Sequence, residues 1–266
     1  MKTIINFLVT ASLLVTASVA RATPRPLPFS YPYETLSQGE LELELYGDMT
    51  PLRVASGVPG HGNLWEPAYV LQNEFEYGIS DRLELGLYQV FEANPNDGGS
   101  NTMQFDGFKW RIRGRLAEAG EWPVDVSLYL ELETMHDELS LEEKVNLAKR
   151  FGRWHWMANL WVEETESRPY DDDTRSFHFV LNPTTGIEYE VTPTVHPGVE
   201  YWARGEIGTS DVNDKLHHFV GPTMHLNFGK LWWTFGLYAD LTNFNKPLPG
   251  EQYGPVWARS VIGLNL

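Results

Sequence analysis

The sequence predicts an all-β chain folded as a closed antiparallel transmembrane β-barrel of about 12 strands, with short periplasmic turns and longer external loops. Three observations carry that expectation. Apolar residues recur at every second position through most of the chain, a period that gathers them on one face of a strand and would scatter them around a helix. The connections between these segments alternate between tight and long, as in barrels that cross a membrane. Beyond the N-terminal segment no apolar run reaches the ~20 residues of a spanning helix, so a membrane is reached only through strands closed on themselves.

The elements follow in chain order. Lys2, the apolar run Ile4 to Val15 and the small-residue pattern Ala20-Arg21-Ala22 have the form of a secretory signal peptide over residues 1–22. They predict export and a mature start at Thr23. Residues 23–38, rich in proline and aromatics, read as an extended periplasmic lead-in, and residues 39–266 as the barrel. Its first strand is Glu40-Leu41-Glu42-Leu43-Glu44-Leu45-Tyr46, with charge and leucine alternating at each step. Further strands follow around Tyr69–Ile79, Leu83–Leu87, Phe108–Arg115, Val124–Glu133, Glu138–Arg150 and Trp154–Glu163. The last five span Phe177–Val191, Thr194–Glu206, Leu216–Gly229, Leu231–Thr242 and Gly254–Leu266.

Two places strain the pattern. Leu139, Leu141, Val145, Ala148 and Phe151 would also share one side of a helix, but Phe151-Gly152 resembles the other strand ends and an even count needs a strand here. Pro197 and Pro222 each remove a ladder hydrogen bond and are expected at bulges or strand ends.

Short connections fall at Ser80-Asp81, 117–122, Gly152-Arg153, Thr192-Pro193 and Gly229-Lys230; long polar ones at 50–64, 92–102, 166–175, 208–215 and 243–253. This alternation puts both termini on the periplasmic side. Tyr77-Gly78, Phe151-Gly152 and Phe228-Gly229 share an aromatic-glycine form just before the tight turns, suited to an interface followed by a reversal. Trp65, Trp110, Trp122, Trp154, Trp156, Trp202, Trp232, Trp233, Tyr201, Tyr253 and Trp257 are expected to form aromatic girdles. Trp161 and Trp202 are the candidates for an inward stacking platform.

A single sheet of this length has no second layer to cover its apolar face, so that face is expected to meet lipid and the charged face to line an enclosed lumen. The fourth strand carries the basic column Lys109, Arg111, Arg113 and Arg115, flanked by Glu84 on one side and Asp125, Glu131 and Glu133 on the other. Cross-strand pairing predicts a lumen charge network of these eight residues, either bolting the wall or guiding an anionic solute.

The absence of cysteine excludes disulfides, thiolate metal sites and a cysteine nucleophile. A formal net charge of −16 argues against nucleic acid as a partner. His217 and His225 stand eight residues apart, ~26 Å along an unbroken strand, too far to chelate one ion. Met135-His136-Asp137-Glu138 reads as a polar loop tip. Ser176 with His178, or His155 with Asn159, lacks a third orienting group for hydrolysis. No cofactor, metal or catalytic residue is assigned.

The opening Glu34-Thr35-Leu36-Ser37-Gln38-Gly39-Glu40-Leu41-Glu42-Leu43, the hairpin from Tyr77 to Leu87, Tyr189 to Pro193, and Val220-Gly221-Pro222 before Phe228-Gly229 carry a further reading. On these motifs, from about Glu34 to Leu266, the chain resembles the transporter-like outer-membrane barrels named for a phenol-degradation pathway. Two departures are Leu266 in place of a terminal aromatic, and the lipid-facing Pro197. The resemblance implies a membrane barrel serving uptake or export and supplies no site residues; the pathway name implies no substrate. The leading expectation is an outer-membrane channel or solute-transport barrel in a Gram-negative-type envelope. A structural or interaction barrel with a plugged lumen and an outer-membrane lipid hydrolase are the alternatives. Partners are then outer-membrane lipid and a small solute, with oligomeric state left open.

Overall fold

The computed structural model describes residues 24–54, 64–96, 102–167, 175–207, 215–242, 244 and 252–266. The predicted signal peptide and part of each predicted long loop lie outside the described residues.

Thirteen β-strands account for the regular structure: β1 (Leu41–Arg53), β2 (Trp65–Ser80), β3 (Leu83–Ala93), β4 (Gln104–Arg115), β5 (Asp125–Met135), β6 (Glu138–Phe151), β7 (Trp154–Ser167), β8 (Ser176–Leu181), β9 (Thr184–Tyr189), β10 (Val195–Glu206), β11 (His217–Asn227), β12 (Leu231–Asp240) and β13 (Val256–Asn265). Strands β8 and β9 are two halves of one stave, since both lie between β7 and β10. The barrel therefore has twelve staves, each antiparallel to its neighbours, and closes where β13 pairs with β1 from Glu42↔Asn265 to Met49↔Ala258. Closure removes every sheet edge, the condition for strands in lipid.

The segment open to a helical reading is β6, paired along its length with β5 and β7. Pro197 and Pro222 do not end strands: both lie within the continuous β10–β11 register. The β11–β12 ladder, however, is interrupted between Val220↔Ala239 and Thr223↔Gly236, beside Pro222. The one broken stave parts at Asn182-Pro183, where proline has no amide to donate. Ladder bonding persists around the break, with the Asn182 amide donating to Trp161 O (3.0 Å) and Ala203 to Pro183 O (3.0 Å).

Burial follows the period of two. On β1, Glu42, Glu44, Tyr46, Asp48 and Thr50 are buried, while Leu41, Leu45 and Met49 are exposed. On β5, Asp125, Ser127, Tyr129, Glu131 and Glu133 are buried; Leu128, Leu130 and Leu132 are exposed. A water-soluble fold would invert this order. Glu143 is one exception on the outer face, exposed between Leu130 and Val162 of the adjoining strands, and Lys149, Glu164 and Glu166 share its outward phase.

The extended lead-in requires correction. Residues 25–33 are buried without interruption, because the segment runs inside the barrel. Pro24, Pro26, Pro28 and Pro32 disqualify it as a stave, and four of its amides bond to side chains projecting into the lumen. Phe29 and Ser30 amides donate to Glu200 (3.1 and 2.6 Å), the Tyr31 amide to Asn159 Oδ1 (2.7 Å) and the Leu36 amide to Glu84 Oε2 (2.7 Å). Phe29 joins Trp202, Phe219, Tyr238 and Tyr253 in one cluster, and Leu27 and Tyr33 join Ala148 and Met157 in another. Two of the interior's apolar clusters are thus assembled around this inner strap, and a third, of Tyr46, Tyr88, Val90, Trp232 and Val261, forms between staves without it.

Candidate functional site

The lumen is a set of charge networks held by facing positions on adjacent staves. Register puts Glu84 opposite Arg113 and Gly86 opposite Arg111. Arg111 consequently lies across β3. Its guanidinium meets Glu84 and Glu74 at 2.5 Å each and also pairs with Glu76. Gly86 makes the crossing possible, since a Cβ there would stand 2.7 Å from Arg111 Nε and 2.8 Å from Glu74 Oε1. Arg113 reaches Glu84 at 2.6 Å. Tyr46 donates to Glu74 (2.5 Å), lies against Glu44 as well, and accepts from Arg25 of the strap (2.7 Å).

The second network lies on β4, β5 and β6. Lys109 pairs with Glu133 at 2.9 Å and Glu131 at 3.5 Å, and Lys144 with Glu142 at 2.5 Å. Tyr129 donates to Glu131 (2.5 Å). The Lys144 ammonium sits over three rings, Trp161 (3.5 Å), Tyr31 (3.9 Å) and Tyr129 (4.1 Å), a cation–π enclosure completed by the strap.

Six of the eight residues expected to form one network are therefore joined into two groups: Glu84, Arg111 and Arg113 in one, Lys109, Glu131 and Glu133 in the other. The remaining two serve the tight turn between β4 and β5. Arg115 pairs with Glu118 (3.0 Å) and donates to Thr35 Oγ1 (3.0 Å), and Asp125 accepts from the Gly120 amide (2.6 Å). Arg82 also pairs with Glu118, at 2.8 Å. Its hydrogen bond, with the nearby Arg115 charge, holds the Glu118 carboxyl below the usual carboxylate range.

Carboxylate oxygens of Glu44, Glu74 and Glu76 converge within 4.8 Å, as do those of Glu131, Glu133 and Glu142. All-oxygen sets of this kind suit a hard cation, but Arg111 and Arg25, or Lys109 and Lys144, already engage them.

The predicted girdle holds on the outside, where Trp65, Trp110, Trp122, Trp154 and Trp233 are exposed. Trp202, Trp232 and Tyr253 are instead buried inside. Trp232 Nε1 donates to Glu42, and Trp257 Nε1 to Asp48 at 2.8 Å. Trp202 is stacked between Phe219 (3.9 Å) and Phe29 (4.2 Å), so the inward platform is occupied by the chain's own ring. Trp161 likewise carries Lys144.

Sequence reading missed the strap contacts of Glu200 and Asn159, and the group in which His155 and His196 flank Glu188 at 3.5 and 3.4 Å. Neither proposed hydrolytic pair is assembled. His178 lies 3.6 Å from Glu206, with no hydrogen bond to Ser176 among the described residues, and Asn159 is spent on Tyr31. His217 pairs with Asp240 (2.8 Å) and His225 with Thr234 (2.7 Å), in separate contacts. In the loop tip, His136 and Asp137 are exposed and 3.6 Å apart.

At the end of the lumen away from the tight turns, a cavity of about 620 Å³ lies between the ends of β6, β7, β8 and β10, lined by Glu138, Glu163, Thr165, His178, Arg204 and Glu206 among others.

No protein-family model and no curated protein matches the sequence. Among solved structures, an outer membrane channel from Pseudomonas putida F1 aligns over 88% of this chain and 98% of its own, with a TM-score of 0.58 at 14% identity. The NanC porin aligns over 84% and 98%, with a TM-score of 0.56 at 7% identity. The chain thus shares its fold, a closed β-barrel with a polar interior, with proteins of the outer-membrane channel type.

Proposed function

We propose that the protein resides in a Gram-negative-type outer membrane and is a passive channel, conducting a small solute past the inner strap through its charged lumen. The observation that carries this reading is the sorting of side chains: leucines and aromatics cover the closed outer wall, while carboxylates, guanidiniums and hydroxyls line the inside. Hydrocarbon on one side and water on the other is the environment that makes such a wall stable, and fixed charges inside set which solutes pass. The fold it shares with solved outer-membrane channels supports the same reading. Among the described residues no assembled nucleophile and base favours a hydrolase.

Planar-bilayer recording tests it. The intact protein is expected to give small, discrete conductance steps, and a variant lacking residues 24–36 larger ones, because the strap occupies the lumen. Zero current from both would remove the channel reading. Current only from the shortened protein would identify the intact chain as a sealed barrel. Recovery from cells without detergent would defeat the membrane assignment itself.

A further inference from the structure

We propose that the cavity at the loop end of the lumen binds small organic cations, such as amines with one or two ammonium groups. It rests on the channel reading for its part in transport, though not for binding. Its volume of about 620 Å³ falls in the range that holds small molecules. Four staves end around it: Glu138 opens β6, Ser167 closes β7, Ser176 opens β8 and Glu206 closes β10. The phase of each strand turns Glu138, Glu163 and Glu206 toward the same interior.

The charges there do not balance. Arg204 is the cavity's single guanidinium, and it is used twice by one partner, at 2.9 Å to Glu163 Oε2 and 3.3 Å to Glu163 Oε1. Such a bidentate pair leaves little of either charge to offer. Glu206 has the imidazole of His178 at 3.6 Å and no Lys or Arg within ion-pairing distance among the described residues. Glu138 accepts only from the Ser167 hydroxyl (3.4 Å), and among the described residues no cation lies within ion-pairing distance of it. Two carboxylates thus face an enclosed polar space without a full counter-charge. Hydroxyls of Thr165, Ser167 and Ser176 add acceptors for the three N–H bonds of an ammonium.

Among the described residues, an anion entering the same space would meet one guanidinium, that of Arg204, already committed to Glu163. The basic column, the apparent attraction for an anionic solute, is also consumed: Lys109, Arg111 and Arg113 each contact carboxylates on neighbouring strands. Inward of the cavity, the Glu131, Glu133 and Glu142 carboxylates outnumber Lys109 and Lys144.

Calorimetric titration of the folded, detergent-solubilised full-length protein at low salt, with 1,4-diaminobutane and succinate as probes, tests the site. The diamine is expected to bind and succinate not to, and E138Q/E206Q to weaken the diamine about tenfold or more. Equal binding of succinate, no binding of the diamine, or undiminished affinity in the double variant would overturn the proposal. E138Q alone, at the exposed rim, supplies the comparison should the double variant fail to fold. Bilayer recording separates the two claims: diamine binding without current leaves the site and removes the channel, and current without diamine binding does the reverse.

Discussion

Arg111 shows what a single residue can require of its neighbours. Its charge is fully buried and tolerable only because three carboxylates reach it, and they reach it only because Gly86 presents no side chain. In G86A the added methyl would displace the guanidinium from Glu74. Breaking part of a buried ion network this way is expected to cost about 1–3 kcal/mol, read as a lower urea midpoint for unfolding from lipid or detergent. An unchanged midpoint would mean that the network contributes nothing. Glu118 supports a pH prediction. Its carboxyl is held below its ordinary range by Arg82 and Arg115, so the folded state gains from it above the unfolded pKa and loses that gain as pH falls through the folded value. E118Q is therefore expected to melt slightly below the parent at neutral pH and with it in strong acid; a gap that widens in acid would contradict the assignment. Residues such as Glu84 and Arg111 were legible because both sit at inward phase on adjacent strands. Gly86 was not, since its importance depends on which way the opposing arginine leans.

The strands show which elements a sequence reveals. Ten staves were legible from alternation, since the two faces of the wall impose opposite demands on successive side chains, and β6 was separated from a helix only by its Phe151-Gly152 end and the even count. The twelfth, split into β8 and β9, kept its inward phase across Asn182-Pro183 and so also read as one segment. The strap escaped because its four prolines suggested a tail. Leu27, Phe29, Tyr31 and Tyr33 nevertheless alternate, a strand-like spacing in a stretch that cannot join a ladder. Glu200 and Asn159 on facing staves were the other half of the signal. Their acceptors bind amides of the strap, and no period within either strand discloses that.

At the scale of the whole molecule, many large apolar side chains lie exposed on the outer wall, so in the proposed membrane setting stability rests on that wall's contact with hydrocarbon more than on an interior core. Leu130 lies at the middle of β5, exposed between Ile112 and Glu143 on the adjoining strands. L130R is expected to cost about 2–4 kcal/mol, the range for a cation at the bilayer midplane, whereas a change at Glu121 in a turn would cost far less. Folding titrations in phosphatidylcholine vesicles would measure both, and equal costs would place Leu130 away from the membrane. The closure of β13 onto β1 has one more consequence. Residues 24–38 immediately precede β1, yet Phe29 is packed against Trp202 on β10. The ribbon leading into the first stave must therefore be swept across the ring's interior before the final seam zips shut, or be threaded in afterwards from below. The first route gives assembly an order, and a seam that locks before the strap is inside leaves only the second.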